Sequence, residues 1–320
     1  MNNLHQQWAV KILKEKDYQI HSSVPEVIQN TPWAEVCRFN TNKGFIYLKR
    51  APPLLSIEAN IIHLLYKEFQ AKVPLLIAEN ATLHCFLMHD AGIQLHQYFK
   101  QNFNEAIFIQ AMHDYSSLQM QASEKIALFL NKGVPDWRLD KLPMHYQDLI
   151  AQHKLLLEDG LTKEDLIALQ QLSPKLSLLC QNLSQYKITE TLSHCDFHDK
   201  NILIDIHTGQ TTLIDLGEIA ITHPFFSLHN CLYRTKENFS LSDIQYQRLV
   251  ESCLKPWLQR ESHHHLLEIL SIIQQCWSIH SVLTEYRLMN SVDPKSFTEL
   301  HRKGRLANNL KYWINQGREN

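Results

Sequence analysis

Glycine is scarce in this chain, at 8 of 320 residues. Neither GxGxxG nor GxxxxGK[ST] occurs, which excludes the dinucleotide fingerprint and the Walker loop. The same scarcity excludes the glycine-rich phosphate loop of protein kinases. The seven cysteines are odd in number, and none form a CxxC pair. The first residues, Met1 to Trp8, carry no basic segment followed by an apolar core, so reduced thiols in a cytoplasmic setting are expected. The net charge of −2 comes with no basic arm and no block of like charge. It offers no electrostatic case for nucleic acid or an anionic membrane. No uncharged apolar run approaches 18 residues, so no membrane span is expected.

What remains is an ordinary globular composition, 44% hydrophobic and 20% charged, long enough for one two-lobed unit or two domains. Leu4 to Lys16 reads as an amphipathic helix. Val24 to Ile28, Ala34 to Phe39 and Phe45 to Lys49 read as strands, separated by the turn segments 29–32 and 40–44. Ser56 to Phe69 has apolar residues at helical spacing, with Ile57, Ile61, Leu64 and Leu65 on one face. Pro74 to Ile77 and His84 to Met88 read as two more strands. After the crossover His89-Asp90-Ala91-Gly92 the pattern turns helical. The expected helices are 94–101, 104–132, 142–158, 162–184, 242–260 and 262–289, with a last stretch opened by Asp293-Pro294 and ending near Gln316.

One constellation stands out. His194-Cys195-Asp196-Phe197-His198-Asp199-Lys200-Asn201 is followed by the apolar run Ile202-Leu203-Ile204 and then by Leu213-Ile214-Asp215. Phosphoryl transfer needs a group to hold the attacking hydroxyl and oxygen ligands to hold Mg²⁺ against nucleotide phosphates. Asp196 suits the first role; Asn201 and Asp215 suit the second. Upstream, the strand Phe45 to Lys49 ends in a lysine, and Glu58 follows nine residues later. That is the lysine and helix glutamate of a kinase small lobe, and their pairing would aim Lys49 at the α- and β-phosphates.

These residues resemble the aminoglycoside phosphotransferase and choline kinase-like family, relatives of the protein kinases. The family's catalytic loop reads His-Gly-Asp, four residues, then Asn; here it is His194-Cys195-Asp196 and Asn201. Cys195 stands in place of glycine. Ser227, in Pro224-Phe225-Phe226-Ser227-Leu228, stands where the family often has aspartate. The resemblance implies an α+β, protein-kinase-like two-lobe fold, with a five-stranded antiparallel small lobe (1–90) and a mainly helical large lobe (91–320). It implies Mg²⁺-dependent transfer of the γ-phosphoryl of ATP or GTP to a hydroxyl of a small molecule. The alternative from another class is a nucleotide-binding pseudokinase, a regulatory or scaffold module. No nucleic-acid or membrane partner is expected, and the oligomeric state is left open.

The same resemblance supplies further candidates. His198 stands at the offset of a phosphate-contacting lysine, with Lys200 a weaker candidate and Glu218 a further acid near the metal. Met88, His89 and Asp90 are expected to bind the base through their backbone. The segment Gln29 to Trp33 is the candidate phosphate loop, with Thr31 as a ligand, or else a plain hairpin turn. Trp257, Trp277, Tyr286 and Arg287 are candidates for the acceptor pocket, as are the acids Glu158, Asp159, Glu164 and Asp165, although core packing and a solvated face are their ordinary roles. His263-His264-His265 would fan apart on a helix rather than share one ion.

Overall fold

The computed structural model describes residues 4–293, 295–296 and 302–318. Its contacts divide the chain into two compact units. One comprises Met1–Tyr98, Lys200–Gly217 and Asn290–Ser296; the other comprises Phe99–Asp199, Glu218–Met289 and Phe297–Asn320.

In the first unit, α1 (Leu4–Glu15) precedes β1 (Glu26–Thr31), β2 (Ala34–Thr41) and β3 (Gly44–Arg50). α2 (Glu58–Phe69) leads to β4 (Leu76–Asn80) and β5 (Cys85–His89). The five expected strands form one antiparallel sheet, as the resemblance implies, and their order is β1-β2-β3-β5-β4. Its core follows from strand alternation. Cys37, Phe39, Ile46, Leu48, Cys85 and Leu87 pack against Ala9 and Leu13 of α1. Lys49, one residue on from Leu48, takes the opposite direction on the strand. β6 (Ile93–Gln94) pairs with β8 (Ile202–Ile204), which pairs with β9 (Thr211–Leu213). The crossover glycine Gly92 has φ +110°, and a Cβ there would meet the Ile204 carbonyl oxygen at 2.1 Å, so only glycine fits this approach to β8.

The second unit is mainly helical. It holds α4 (Glu105–Ser123), α5 (Ile126–Leu130), α6 (Leu142–Ile150), α7 (His153–Asp159), α8 (Lys163–Leu183), α9 (Phe225–Asn238), α10 (Asp243–Leu254), α11 (His263–Asn290) and α12 (Arg305–Arg318). The short α3 (Leu95–Phe99) precedes them, and the hairpin-like pair β7 (Thr191–His194) and β10 (Ile219–Thr222) runs antiparallel. Thr162 with Asp165 and Ser242 with Gln245 form capping boxes that start α8 and α10 where the sequence predicts.

Several boundaries differ from expectation. The stretch 104–132 breaks at Glu124-Lys125, where the Ser123 hydroxyl bonds back to the Met120 carbonyl. The stretch 142–158 breaks after Ile150. α10 ends at Leu254 because Pro256 has no N–H to give the Ser252 carbonyl. The His113 ring contacts that carbonyl instead, at 2.8 Å. α9 was not anticipated. Nine of its residues are buried, the polar Ser227, His229 and Asn230 among them, so its sequence reads as a mixed polar segment. The expected helix start at Pro294 lies outside the described residues. α11, against expectation, is long and apolar enough to cross a membrane by length and composition. Half of its most apolar stretch is buried in the protein, as in a core helix.

Candidate active site

Lys49 is the centre of a buried charge cluster in the first unit. Its Nζ lies 2.7 Å from Glu58 Oε2 and 2.6 Å from Asp215 Oδ1. The Lys49 and Glu58 side chains are 8% and 4% exposed. Burial alone would drive the lysine neutral, but the two carboxylates outweigh it and hold its pKa above the usual value. Burial pushes Glu58 up, and the Lys49 charge opposes that. The other Glu58 oxygen accepts the Leu216 N–H at 3.1 Å, which fixes the turn just after Asp215. Gly217 completes that turn, and a Cβ there would stand 2.9 Å from the Leu55 carbonyl oxygen. Asp215 itself has φ +63°, a left-handed conformation that a short polar side chain tolerates.

Asn201 sits at the same end of the β8–β9 ladder as Asp215. Ile202 pairs with Leu213, and the Ile214 N–H donates to the Asn201 carbonyl at 3.1 Å. One amide side chain and one carboxylate therefore flank one ladder end. Oxygen donors of this kind suit a hard divalent cation whose remaining positions are filled by phosphate and water.

Asp196 and His198 belong to the second unit. His198 Nε2 is 3.1 Å from Asp196 Oδ2, and Arg234 Nη2 is 3.6 Å from Asp196 Oδ1. Burial raises the Asp196 pKa, but the His198 hydrogen bond and the charges of His198, Arg234 and His194 together hold it well below the usual carboxylate range. Its side chain remains 38% exposed. His198 thus meets the carboxylate of its own loop.

Neutral groups anchor this loop. The Tyr115 hydroxyl accepts the His194 N–H at 2.8 Å and lies 3.3 Å from Ser227 Oγ. Ser227 is also 2.6 Å from Ser193 Oγ and donates to the His194 carbonyl at 3.3 Å. Asn230 donates to the Phe197 carbonyl at 3.0 Å. Ser227, which replaces the family's aspartate, thus ties the loop through hydroxyl contacts. Cys195 donates its N–H to the Glu218 carbonyl at 3.0 Å and is not among the residues of positive φ, so a side chain is tolerated where glycine is usual. Its thiol is pushed up to about 12, chiefly by burial.

Other candidates take different places. Thr31 donates to the Ala34 carbonyl at 3.0 Å and accepts the Ala34 N–H at 3.1 Å, closing the β1–β2 hairpin over two turn residues. The His89 and Asp90 N–H groups donate to the Leu75 and Phe45 carbonyls, and Met88 pairs with Tyr47 and Leu76 in the sheet. Trp257 is buried against Phe225, and Arg287 donates to the Ile219 carbonyl. Asp159 accepts the Gly304 and Ala307 N–H groups near the start of α12, and Asp165 caps α8. In the histidine run, His264 faces Glu268 and His265 faces Glu261, so the rings do diverge along α11.

Of the expected acceptor-site residues, Trp277 lines a cavity of about 440 Å³ in the helical unit. Its rings are His229 and Tyr233 of α9, Trp277 of α11 and Tyr312 of α12. Its polar groups are Gln274 of α11 and Arg305, Asn308 and Asn309 of α12. Sequence reasoning missed Tyr115, Asn230 and Arg234, and every cavity residue except Trp277.

Residues 34–248 match the model of the phosphotransferase enzyme family. Among solved structures, the chain is similar to a macrolide 2'-phosphotransferase type I (TM-score 0.61, 11% identity, 96% of this chain and 98% of that one). It is similar to APH(2'')-IIa in its ternary complex with streptomycin and ATP (TM-score 0.57, 17% identity, 95% and 98%). It is also similar to an ethanolamine kinase from Plasmodium vivax (TM-score 0.58, 12% identity, 86% and 76%). These likenesses show a protein-kinase-like fold. No curated protein matches the chain in a sequence comparison.

Proposed function

The chain belongs to the phosphotransferase enzyme family, and from that premise we propose that it transfers the γ-phosphoryl of ATP or GTP to a hydroxyl of a small molecule, with Mg²⁺. The observation that carries this reading is the buried Lys49 ammonium, held by Glu58 at 2.7 Å and Asp215 at 2.6 Å. A lysine fixed by a helix glutamate is oriented as a point charge for nucleotide phosphates. Asn201 and Asp215 would hold Mg²⁺, which when bound neutralises charge developing on the phosphates. Asp196, kept ionised by His198 and Arg234, orients the acceptor hydroxyl and takes its proton. His198 then acts on Asp196 rather than on phosphate. The similar structures named above are a complex of APH(2'')-IIa with streptomycin and ATP, a macrolide 2'-phosphotransferase and an ethanolamine kinase, which supports a small-molecule acceptor.

The test is nucleotide consumption by the purified protein with Mg²⁺ across a panel of hydroxyl compounds. Asp196→Asn should lower turnover by about 100-fold or more while nucleotide binding survives. Asp215→Ala should remove the Mg²⁺-dependent tightening of nucleotide binding seen by calorimetry. Nucleotide binding with no acceptor-dependent turnover on any compound would favour the pseudokinase reading instead.

A further inference from the structure

The cavity between α9, α11 and α12 has a distinctive charge. None of the described residues that line it is an acid. Its cation is Arg305, whose pairing with Glu285 is long, at 4.0 Å. Glu285 is already engaged by Arg302 through two hydrogen bonds of 2.8 and 2.6 Å, so the Arg305 charge is weakly offset. His229 adds no charge near neutral pH, since burial holds its pKa down at about 4. Three amide side chains, Gln274, Asn308 and Asn309, supply both donors and acceptors.

Aromatic rings lie among these polar groups: Trp277 shares α11 with Gln274, and Tyr312 shares α12 with Arg305, Asn308 and Asn309. His229 and Tyr233 lie nearly parallel, 19° apart, with Trp277 5.6 Å from His229 and 6.3 Å from Tyr233. Tyr233 and Tyr312 are 48% and 49% exposed, so the cavity opens to solvent. A cavity lined by aromatic rings with a few convergent polar groups is how a small-molecule site is built. α9 also ties this cavity to the reactive loop of the same unit. Asn230 and Arg234, each one residue on from His229 and Tyr233, contact Phe197 and Asp196.

We propose that this cavity receives the hydroxyl acceptor, and that the acceptor is a neutral or acidic carbohydrate. The inference rests on the phosphotransferase reading and narrows it. A sugar ring lays its apolar face on an aromatic ring and turns its hydroxyls to amides and a guanidinium. A polyamine such as kanamycin would meet the weakly offset Arg305 charge, with no carboxylate among the described lining residues to receive its ammonium groups. A quaternary ammonium would gain cation–π attraction from the rings, but it faces the same fixed charge.

The test is calorimetric titration of the full chain with four probes: methyl β-D-glucopyranoside, glucuronate, kanamycin and choline. The expected result is binding of a carbohydrate probe and not of the two cations. Trp277→Ala and the half-exposed Tyr312→Ala should each weaken that binding about ten-fold or more, with ATP affinity unchanged. Arg305→Glu should weaken glucuronate and admit kanamycin. Tighter binding of kanamycin or choline than of either carbohydrate would overturn the proposal. So would carbohydrate binding that both aromatic variants leave intact, or no carbohydrate binding at all. The two readings separate in a transfer assay with MgATP. Phosphoryl transfer to kanamycin would keep the phosphotransferase and refute the carbohydrate. A carbohydrate bound in the cavity, with no transfer to any hydroxyl compound, would keep the site and refute the enzyme.

Discussion

The lysine cluster of the strand-built unit and the Asp196 loop of the helical unit hold their charged groups by different means. The first hides an opposite pair from water: Lys49 and Glu58 are almost completely buried, and Asp215, 37% exposed, closes the cluster. The second leaves its carboxylate 38% exposed, pairs it with an imidazole and a more distant guanidinium, and fixes the backbone through neutral hydroxyls and an amide. In a buried cluster, removing one partner strands a charge, so chemistry and stability are inseparable. In a loop with an exposed carboxylate, chemistry can be altered while the fold survives, because other groups keep the shape.

The largest expected effect breaks the first of these. Lys49→Met strips the buried Glu58 carboxylate of its cation beside the half-buried Asp215, and folding free energy should fall by about 3–5 kcal/mol. Urea denaturation reads this directly, and an unchanged midpoint would mean the cluster is not the stabilising element its burial implies. A smaller effect tests the neutral anchor. Tyr115→Phe leaves the His194 N–H without its acceptor and should cost roughly 1–3 kcal/mol. Turnover should fall with it while ATP affinity stays constant. Equal losses in both would show that Tyr115 supports the helical core at large rather than the loop.

The smallest effect concerns pH. The hydrogen bond from His198 holds Asp196 below its ordinary value of 3.8. A carboxylate depressed in the folded state contributes stability above its unfolded pKa, and that contribution is lost as pH falls through the folded value. His198→Asn should therefore move the acid limb of kcat/KM upward in pH, since burial of Asp196 is then less opposed. Activity near pH 7 should change little. An acid limb that stays put would remove His198 from control of Asp196.

The sequence reveals the charged parts of the site and hides what supports them. Lys49, Glu58, Asp196, Asn201 and Asp215 are legible because phosphoryl transfer restricts residue type and spacing. Five strands and a helix were legible from alternation and period. The supporting groups were not. Tyr115 meets His194 across 79 residues of chain, and no local pattern encodes such a contact. α9 buries the polar Ser227, His229 and Asn230 among its apolar residues, which disguises its inner face, and with it went Asn230, Arg234, His229 and Tyr233. The segment 29–33 was open to two readings. The hydrogen bonds of Thr31 to Ala34 belong to the hairpin.

α9 carries cavity residues His229 and Tyr233 one position before loop contacts Asn230 and Arg234. Its helix therefore couples two traits that selection would otherwise tune apart. A substitution that reshapes the cavity for a new compound shifts the same backbone that steadies the loop. Lineages adopting a new acceptor through this helix should pass through slower intermediates. Those adopting one through α12, whose Arg305 and Tyr312 lie on a separate element, can diverge without that penalty.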